Sequence, residues 1–374
     1  MVNGAMTRRM FLKKLLTWCS MAAIPGAFSS CAGRMAPEKS RHLITEVDNL
    51  SLREIADKKL HHGHGCYLNL FGGPIHGNPW RPSKVQTINN SDADEYNYSY
   101  VPYYKDQQVV PVSIDWEPLR HNAGLSITFI KHACVMIKDF DQYILVDPVF
   151  FGLRFIKDFT PLAFVIQDMP PPTHVLITHG HYDHLDKPSL AALNPETHVI
   201  TPLGYNDIFK DLKMNHRTQL DWFDTFKQDG LEIKLLPCKH WTMRNPIFGA
   251  NHSLWGSFLI RTASGSTIFI SGDTSYFRGF REIGNDFSID LAIVNLGAYG
   301  HGTPWWLSHL NPSQAVKAFQ DLQAKQLMIV HWGSFSLTSE PVHFPPIQLK
   351  AELEKRGLAD QLVNLNHGQV LFYK

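Results

Sequence analysis

The densest chemistry in the chain lies in six consecutive residues. His179-Gly180-His181-Tyr182-Asp183-His184 offers four side chains able to bind a metal, directly behind the apolar run 174–178. A loop of this kind turns His179 and His181 to one side and Asp183 and His184 to another. One divalent ion takes about four ligands in near-tetrahedral geometry, and a catalytic ion keeps a position open. Four ligands this crowded, with others to come from elsewhere, suit two ions better than one. Gly180 removes a side chain where the loop has to turn tightly. Three later places repeat the pattern of an apolar run followed by a ligand type: LLPCKHW offers His240, TIFISGDTS offers Asp273 and MIVHWG offers His331. Ligands placed at the ends of strands are held by a rigid sheet, as a preorganised site requires. Ligand histidines also need their second ring nitrogen fixed. Asp147 and Asp186 are candidates for that role or for holding a loop, and Asp147-Pro148 reads equally well as an ordinary turn.

The elements that must carry these residues follow from pattern. Short apolar or alternating runs predict strands over 126–131, 135–138, 143–146, 174–178, 198–201, 232–236, 257–261, 267–270, 290–294, 326–330 and 369–373. Helical spacing predicts helices over 187–193, 202–212 and 346–356. Another is predicted over 312–324, opened by an Asn311 cap. Strands in a row, then strands alternating with helices, imply an α/β architecture of two sheets with helices outside. Residues 32–120 read as an irregular N-terminal extension packed on the main domain, with one short helix near 51–60, and 121–374 as that main domain. Within the extension, His61-His62-Gly63-His64-Gly65 reads as either a metal-binding segment or a histidine-rich turn without fixed geometry.

The chain has 374 residues, 44% hydrophobic and 18% charged, enough to bury a large core. A formal charge of +1 gives no support to a nucleic-acid partner. Residues 1–31 read as an export signal: paired Arg8 and Arg9, then an uncharged stretch too short to span a bilayer comfortably. The arginine pair fits the twin-arginine address. Phe28-Ser29-Ser30-Cys31 resembles a lipoprotein cleavage box with Cys31 as the acylated residue; a plain signal peptide or an uncleaved anchor is the alternative. The expectation is an exported protein on the periplasmic side, held to a membrane as a lipoprotein. Cys66, Cys134 and Cys238 show no CxxC spacing and cannot form a disulfide framework by themselves, and Cys134 reads as core.

Taken together, HGHYDHLD, the later histidines and SGD resemble the metallo-β-lactamase superfamily. The stretches HACVMIKDFDQYILVDPVF, PCKHW, LWGSF, SGDTSYF, LGAY, LNPSQAVKAFQDLQAK and IVHWGSF resemble, more narrowly, the N-acylphosphatidylethanolamine-hydrolysing phospholipase D family. The resemblance implies a four-layer αβ/βα sandwich holding two zinc ions. His179, His181 and His240 would hold one, Asp183, His184 and His331 the other, and Asp273 would bridge them. Imidazole suits zinc, and a bridging carboxylate offsets the repulsion of two dications roughly 3.5–4 Å apart. The activity implied is attack of a zinc-bridging hydroxide on a phospholipid phosphodiester, with Asp183, Asp273 and His309 as catalytic residues.

His309 matches a position implied to hold or protonate the phosphate; a cap neighbour of the following helix is the other reading. Tyr182 and Tyr299 are candidates to hydrogen-bond substrate. Residues 300–307 depart from the family pattern, with glycine and aromatic residues where charge is usual. Trp305 and Trp306 there fit an acyl groove, a membrane interface or core packing. The partners expected are a phospholipid, a membrane surface and a second copy in a homodimer. Competing readings are a lactonase or soluble phosphodiesterase of the same superfamily, and a surface lipoprotein that binds metal without turnover.

Overall fold

The computed structural model describes residues 47–71, 108–245, 249–299, 308–338 and 340–373. The export signal with Cys31, and the Trp305-Trp306 pair, lie outside the described residues. Among those described, no helix is long and apolar enough to cross a membrane.

Two seven-stranded sheets form the centre. The first runs in the order β14-β1-β2-β3-β4-β5-β6. Its strands are β1 Ser126–Lys131, β2 Cys134–Asp139, β3 Gln142–Val146, β4 His174–Leu176, β5 His198–Pro202, β6 Arg217–Leu220 and β14 Val370–Phe372. The second runs β13-β12-β11-β10-β9-β8-β7. It comprises β7 Thr225–Gln228, β8 Leu231–Leu236, β9 Ser257–Arg261, β10 Thr267–Ile270, β11 Leu291–Asn295, β12 Gln326–Val330 and β13 Leu362–Val363.

Successive strand residues face opposite ways, so each sheet must bury two faces or leave one wet. Here both faces are covered. In the first sheet Ile127, Phe129, Val135, Ile137, Ile144, Val146, Leu176 and Ile200 join the core shared with the second sheet. Their neighbours Cys134, Met136, Leu145, Val175 and Val199 form a separate outer core with Leu119, Leu190 and Phe209. Those three sit on α2 Glu117–His121, α3 Lys187–Ala191 and α4 Asn206–Asp211. The second sheet is covered by α5 Gly279–Asp286, α6 Pro312–Leu322 and α7 Phe344–Lys355, through Phe280, Ile283, Phe319 and Leu353 among others. This is the four-layer αβ/βα sandwich expected.

The strands β6, β7 and β13 were not anticipated. All three are sheet edges: RTQL and TFKQ are half-exposed and without apolar alternation, and β13 is two residues long. The helix expected over 202–212 starts only at Asn206, because β5 continues to Pro202 and Gly204 takes a left-handed turn at φ 98°.

Of the extension, α1 Leu52–Asp57 is closed by a Ser51–Glu54 capping box and buries Leu52, Ile55 and Ala56 in the central core. The Glu282 side chain accepts the Leu52 N–H at 2.7 Å, and Arg278 donates to the Leu50 carbonyl, so this piece is fastened to α5. Cys134 and Cys238 are buried free thiols.

Candidate metal centre

The sheet topology sets the site. Strands β10, β11 and β12 are parallel, and β8 runs the same way because β9 is antiparallel to both β8 and β10. The C-terminal ends of β8, β10 and β12 therefore open on one edge, where His240, Asp273 and His331 follow. In the other sheet β3 and β4 are parallel, and Asp147 and His179 follow their ends. Two sets of strand ends meet, the usual place for a ligand in open α/β sheets.

All seven expected ligands converge there. His179, His181, His240 and Asp273 form one group, and Asp183, His184 and His331 form another with His132. His181 Nδ1 lies 2.9 Å from His179 Nε2 and 3.2 Å from His240 Nε2. His184 Nε2 lies 3.2 Å from His331 Nε2. Asp273 stands between the groups, with Oδ2 3.2 Å from His184 Nε2, 3.7 Å from His179 Nε2 and 3.8 Å from His240 Nε2, and Oδ1 3.2 Å from His331 Nε2. Ligands about 2.0–2.1 Å from a tetrahedral ion are roughly 3.4 Å apart. Five imidazoles and two carboxylates gathered at such spacings are a donor set that fits divalent metal in both groups.

The second nitrogens of His179, His184 and His240 are fixed, whereas His181 Nε2 and His331 Nδ1 are buried without a hydrogen-bond partner among the described residues. Asp147 accepts the Thr178 N–H at 2.8 Å, the Thr178 hydroxyl at 2.6 Å and His184 Nδ1–H at 2.7 Å. With its proton given to Asp147, Thr178 Oγ1 accepts from His179 Nδ1 at 3.0 Å. His240 Nδ1–H donates to the Ser308 carbonyl at 3.2 Å. Each bond leaves Nε2 as the free lone pair. Asp147 is thus a positioning carboxylate, the choice the sequence left open. Asp186 holds the loop instead: it caps α3 through the Ser189 N–H at 3.0 Å and hydroxyl at 2.6 Å.

Gly180 is required for space more than for a turn. A Cβ there would lie 2.7 Å from Thr242 Oγ1, which accepts the Gly180 N–H, and 3.0 Å from Tyr205 Cε1. Gly272 has both needs, a φ of 56° and Thr178 Cβ 2.9 Å from where its own would stand.

The electrostatics divide the two groups. Burial and then neighbouring imidazoles hold His179 well below the usual histidine range, and burial likewise holds His240 low and brings His181 to about 4. These rings are neutral, as ligands must be. Burial also works against charge on His184 and His331. There Asp273 and Asp183 outweigh it, aided at His184 by Asp147, raising His184 well above its ordinary value and His331 to about 9. The acids Asp183 and Asp273 stay ionised despite burial because the surrounding histidines, His184 foremost, favour the carboxylates.

Two neighbours of the site escaped the sequence reading. His132, in the tight turn between β1 and β2, places Nε2 3.2 Å from Asp183 Oδ2 and its ring centroid 4.0 Å from that of His331. Asn295, at the end of β11, donates Nδ2–H to Asp273 Oδ1 at 2.7 Å. A histidine isolated between two apolar runs was the available signal for the first; the second had none.

A cavity of about 740 Å³ opens above the metal ligands. Its floor is His181, Asp183, His240, Asp273 and His309, and its walls include Leu153, Ile156, Trp241, Met243 and Leu337. His309 is buried with Nδ1 3.9 Å from Asp273 Oδ2, and burial lowers it to about 4. Tyr182 lines the rim, and its hydroxyl donates to the Arg244 carbonyl at 2.7 Å beneath the Arg244 guanidinium. Tyr299 is placed differently from its expected role at the substrate. It is buried, and its hydroxyl donates to Gln348 at 2.8 Å.

Comparison with known proteins agrees with this fold. Residues 142–332 match the Beta-lactamase superfamily domain. The chain is 27% identical over 308 residues to the mitochondrial N-acyl-phosphatidylethanolamine-hydrolyzing phospholipase D of Saccharomyces cerevisiae, covering 77% of this chain and 64% of that protein. It is 26% identical to N-acyl-phosphatidylethanolamine-hydrolyzing phospholipase D 1 of Caenorhabditis elegans, covering 64% and 73%. Among solved structures, a possible metal-dependent hydrolase from Veillonella parvula superposes with a TM-score of 0.54 at 13% identity, over 67% of this chain and all of that one.

Proposed function

The chain belongs to the beta-lactamase superfamily of metal-dependent hydrolases, and on that premise we propose that it is a zinc-dependent phosphodiesterase of phospholipase D type. Its substrates would be N-acylphosphatidylethanolamine-like phospholipids, cleaved to N-acylethanolamine and phosphatidic acid. The observation that carries this reading is the cavity: two histidine–aspartate groups sharing Asp273 form a polar floor beneath apolar walls. A charged diester with acyl tails needs both. The likeness to the yeast and nematode phospholipases supports the same choice.

His179, His181 and His240 would hold one zinc, Asp183, His184 and His331 the other, with Asp273 between. Bound there, the ions supply a water activated at neutral pH and positive charge beside the phosphoryl oxygens. The chain's own residues do the rest. Asp147 and Thr178 keep His184 and His179 in the ligand tautomer. Asn295 keeps the Asp273 carboxylate from turning. His309, neutral at pH 7, can donate one N–H to a phosphoryl oxygen, which favours holding the phosphate over protonating it. Leu153, Ile156 and Leu337 exclude water and offer apolar surface to acyl chains. We also propose export and attachment to a membrane through Cys31, on the strength of the N-terminal sequence alone.

The test is purification of the full chain, metal analysis, and a screen of phospholipids with and without N-acylation. Release of N-acylethanolamine, lost in Asp273→Asn with folding retained, supports the proposal. Loaded metal with turnover only of lactones or soluble diesters refutes it.

A further inference from the structure

The histidine-rich turn of the N-terminal extension has a fixed geometry after all. His61 Nε2 lies 2.6 Å from Asp221 Oδ1, and His62 Nε2 lies 2.8 Å from Asp221 Oδ2. The three ligand atoms are all within 4.8 Å of one another. Asp221 comes from the loop after β6, some 160 residues away in the chain, and its side chain is 6% exposed. The His61 ring is fully buried and stacks on Trp222 with centroids 4.1 Å apart. His62 is 36% exposed, so the cluster has one wet side.

We propose that His61, His62 and Asp221 form an additional binding site for one divalent transition ion of the zinc class, separate from the centre described above. Two imidazoles and a carboxylate, with water on the open side, make a four-coordinate N₂O₂ set of the kind zinc accepts. Magnesium and calcium prefer oxygen donors and do not suit it. Asp221 is held ionised against burial by His61 and Lys59, and burial keeps His61 neutral, so both carry the charge a ligand needs; the Nε2–H that His61 now donates to Asp221 moves to Nδ1 when an ion binds. The present spacings are those of hydrogen bonds. An ion needs the donors roughly 3.4 Å apart, so its arrival must part the buried His61–Asp221 pair as well as turn the half-exposed His62 ring.

Two features set the affinity. Lys59 Nζ lies 2.7 Å from Asp221 Oδ2 and is 51% exposed, a tethered cation that an arriving ion must displace. His61 Nδ1 is buried without a hydrogen-bond partner. Coordination through Nε2 leaves the ring proton on that nitrogen with nothing to accept it, a cost that His181 and His331 also carry in the main centre. With three protein donors and a lysine to displace, the site is weaker than the main centre and empties first under a chelator. When filled, it clips the segment after α1 to the loop behind β6.

The experiment uses the full chain without a histidine tag, equilibrated with zinc alone and analysed for ions per chain. His62→Ala should bind one ion fewer than wild type, whatever number the main centre holds. Lys59→Gln should keep the wild-type number and bind the weakest ion up to about fivefold more tightly, the scale of a half-exposed ion pair. General misfolding cannot tighten binding, so the two variants together separate a lost ligand from a damaged fold. Equal ion counts in His62→Ala and wild type, or no tightening in Lys59→Gln, overturns the proposal. Loss of the main-centre ions would leave the difference of one ion between His62→Ala and wild type unchanged.

Discussion

Replacing Asp147 with asparagine should weaken metal binding while leaving every ligand in place. The buried carboxylate accepts three hydrogen bonds: Oδ1 takes the Thr178 N–H, and Oδ2 takes both the Thr178 hydroxyl and His184 Nδ1–H. An amide of the same shape has one oxygen. If that oxygen replaces Oδ2, the new NH₂ confronts the Thr178 N–H. If it replaces Oδ1, the NH₂ confronts His184 and the Thr178 hydroxyl. Either way a buried donor loses its acceptor, at about 1–3 kcal/mol, and the surviving bonds lose their ionic character. Partners that orient metal ligands typically contribute 10- to 100-fold in affinity, equivalent to about 1.4–2.7 kcal/mol, so the two scales agree. The loss should fall mainly on the ion held by His184 and more weakly on the His179 side, which Asp147 reaches only through Thr178. Competition titration against a chelator measures it. Asp186→Ala is the control: it removes a nearby carboxylate that caps α3 and should lower stability by about 1 kcal/mol with metal affinity unchanged. Wild-type zinc affinity in Asp147→Asn, or an equal loss in Asp186→Ala, refutes the argument.

Gly180→Ala should destabilise the protein by about 1–3 kcal/mol and reduce its metal content, because Thr242 and Tyr205 occupy the space a Cβ needs; urea melts and metal analysis read both effects. His309→Ala should cut turnover about 10- to 100-fold, the worth of a hydrogen bond to a charged phosphate, with ion counts unchanged. Burial lowers His367 to about 3 while its Nε2–H donates to the Trp332 carbonyl at 3.0 Å. A lowered histidine favours folding fully above its ordinary value of 6.5 and loses that contribution as pH falls toward 3. At pH 4.5 the loss is about 2–3 kcal/mol. Urea melts at pH 7 and 4.5 should therefore differ less in His367→Gln than in wild type.

The sequence showed most of the centre because its ligands are local or sit behind a legible strand. Four of the seven lie within six residues, and His240, Asp273 and His331 each follow an apolar run. The residues that orient those ligands were harder to read. His132 meets Asp183 across 51 positions and Asn295 meets Asp273 across 22, pairings that only the packed sheets create. The pattern left His61 and His62 open between a metal-binding segment and a turn without fixed geometry for the same reason, since Asp221 is remote in the chain. The buried strands declared themselves through apolar runs, whereas β6 and β7 carry too little buried surface at the sheet edges to leave a pattern.

Reaction class and substrate class are built from different parts of this molecule. The ligands stand on the ends of strands in both sheets, so the order of the sheets fixes them, and any sequence that keeps the motif keeps the centre. The walls come from elsewhere. Leu153, Ile156, Trp241, Met243 and Leu337 lie on the connections that follow β3, β8 and β12, where no periodicity constrains the choice of side chain. A metal centre that activates water accepts many electrophiles, and a fold shared by many hydrolases cannot select among them. Selection among substrates therefore rests on those apolar side chains. Polar substitutions at Leu153 or Leu337 should change which substrate is used before they change how much metal is bound.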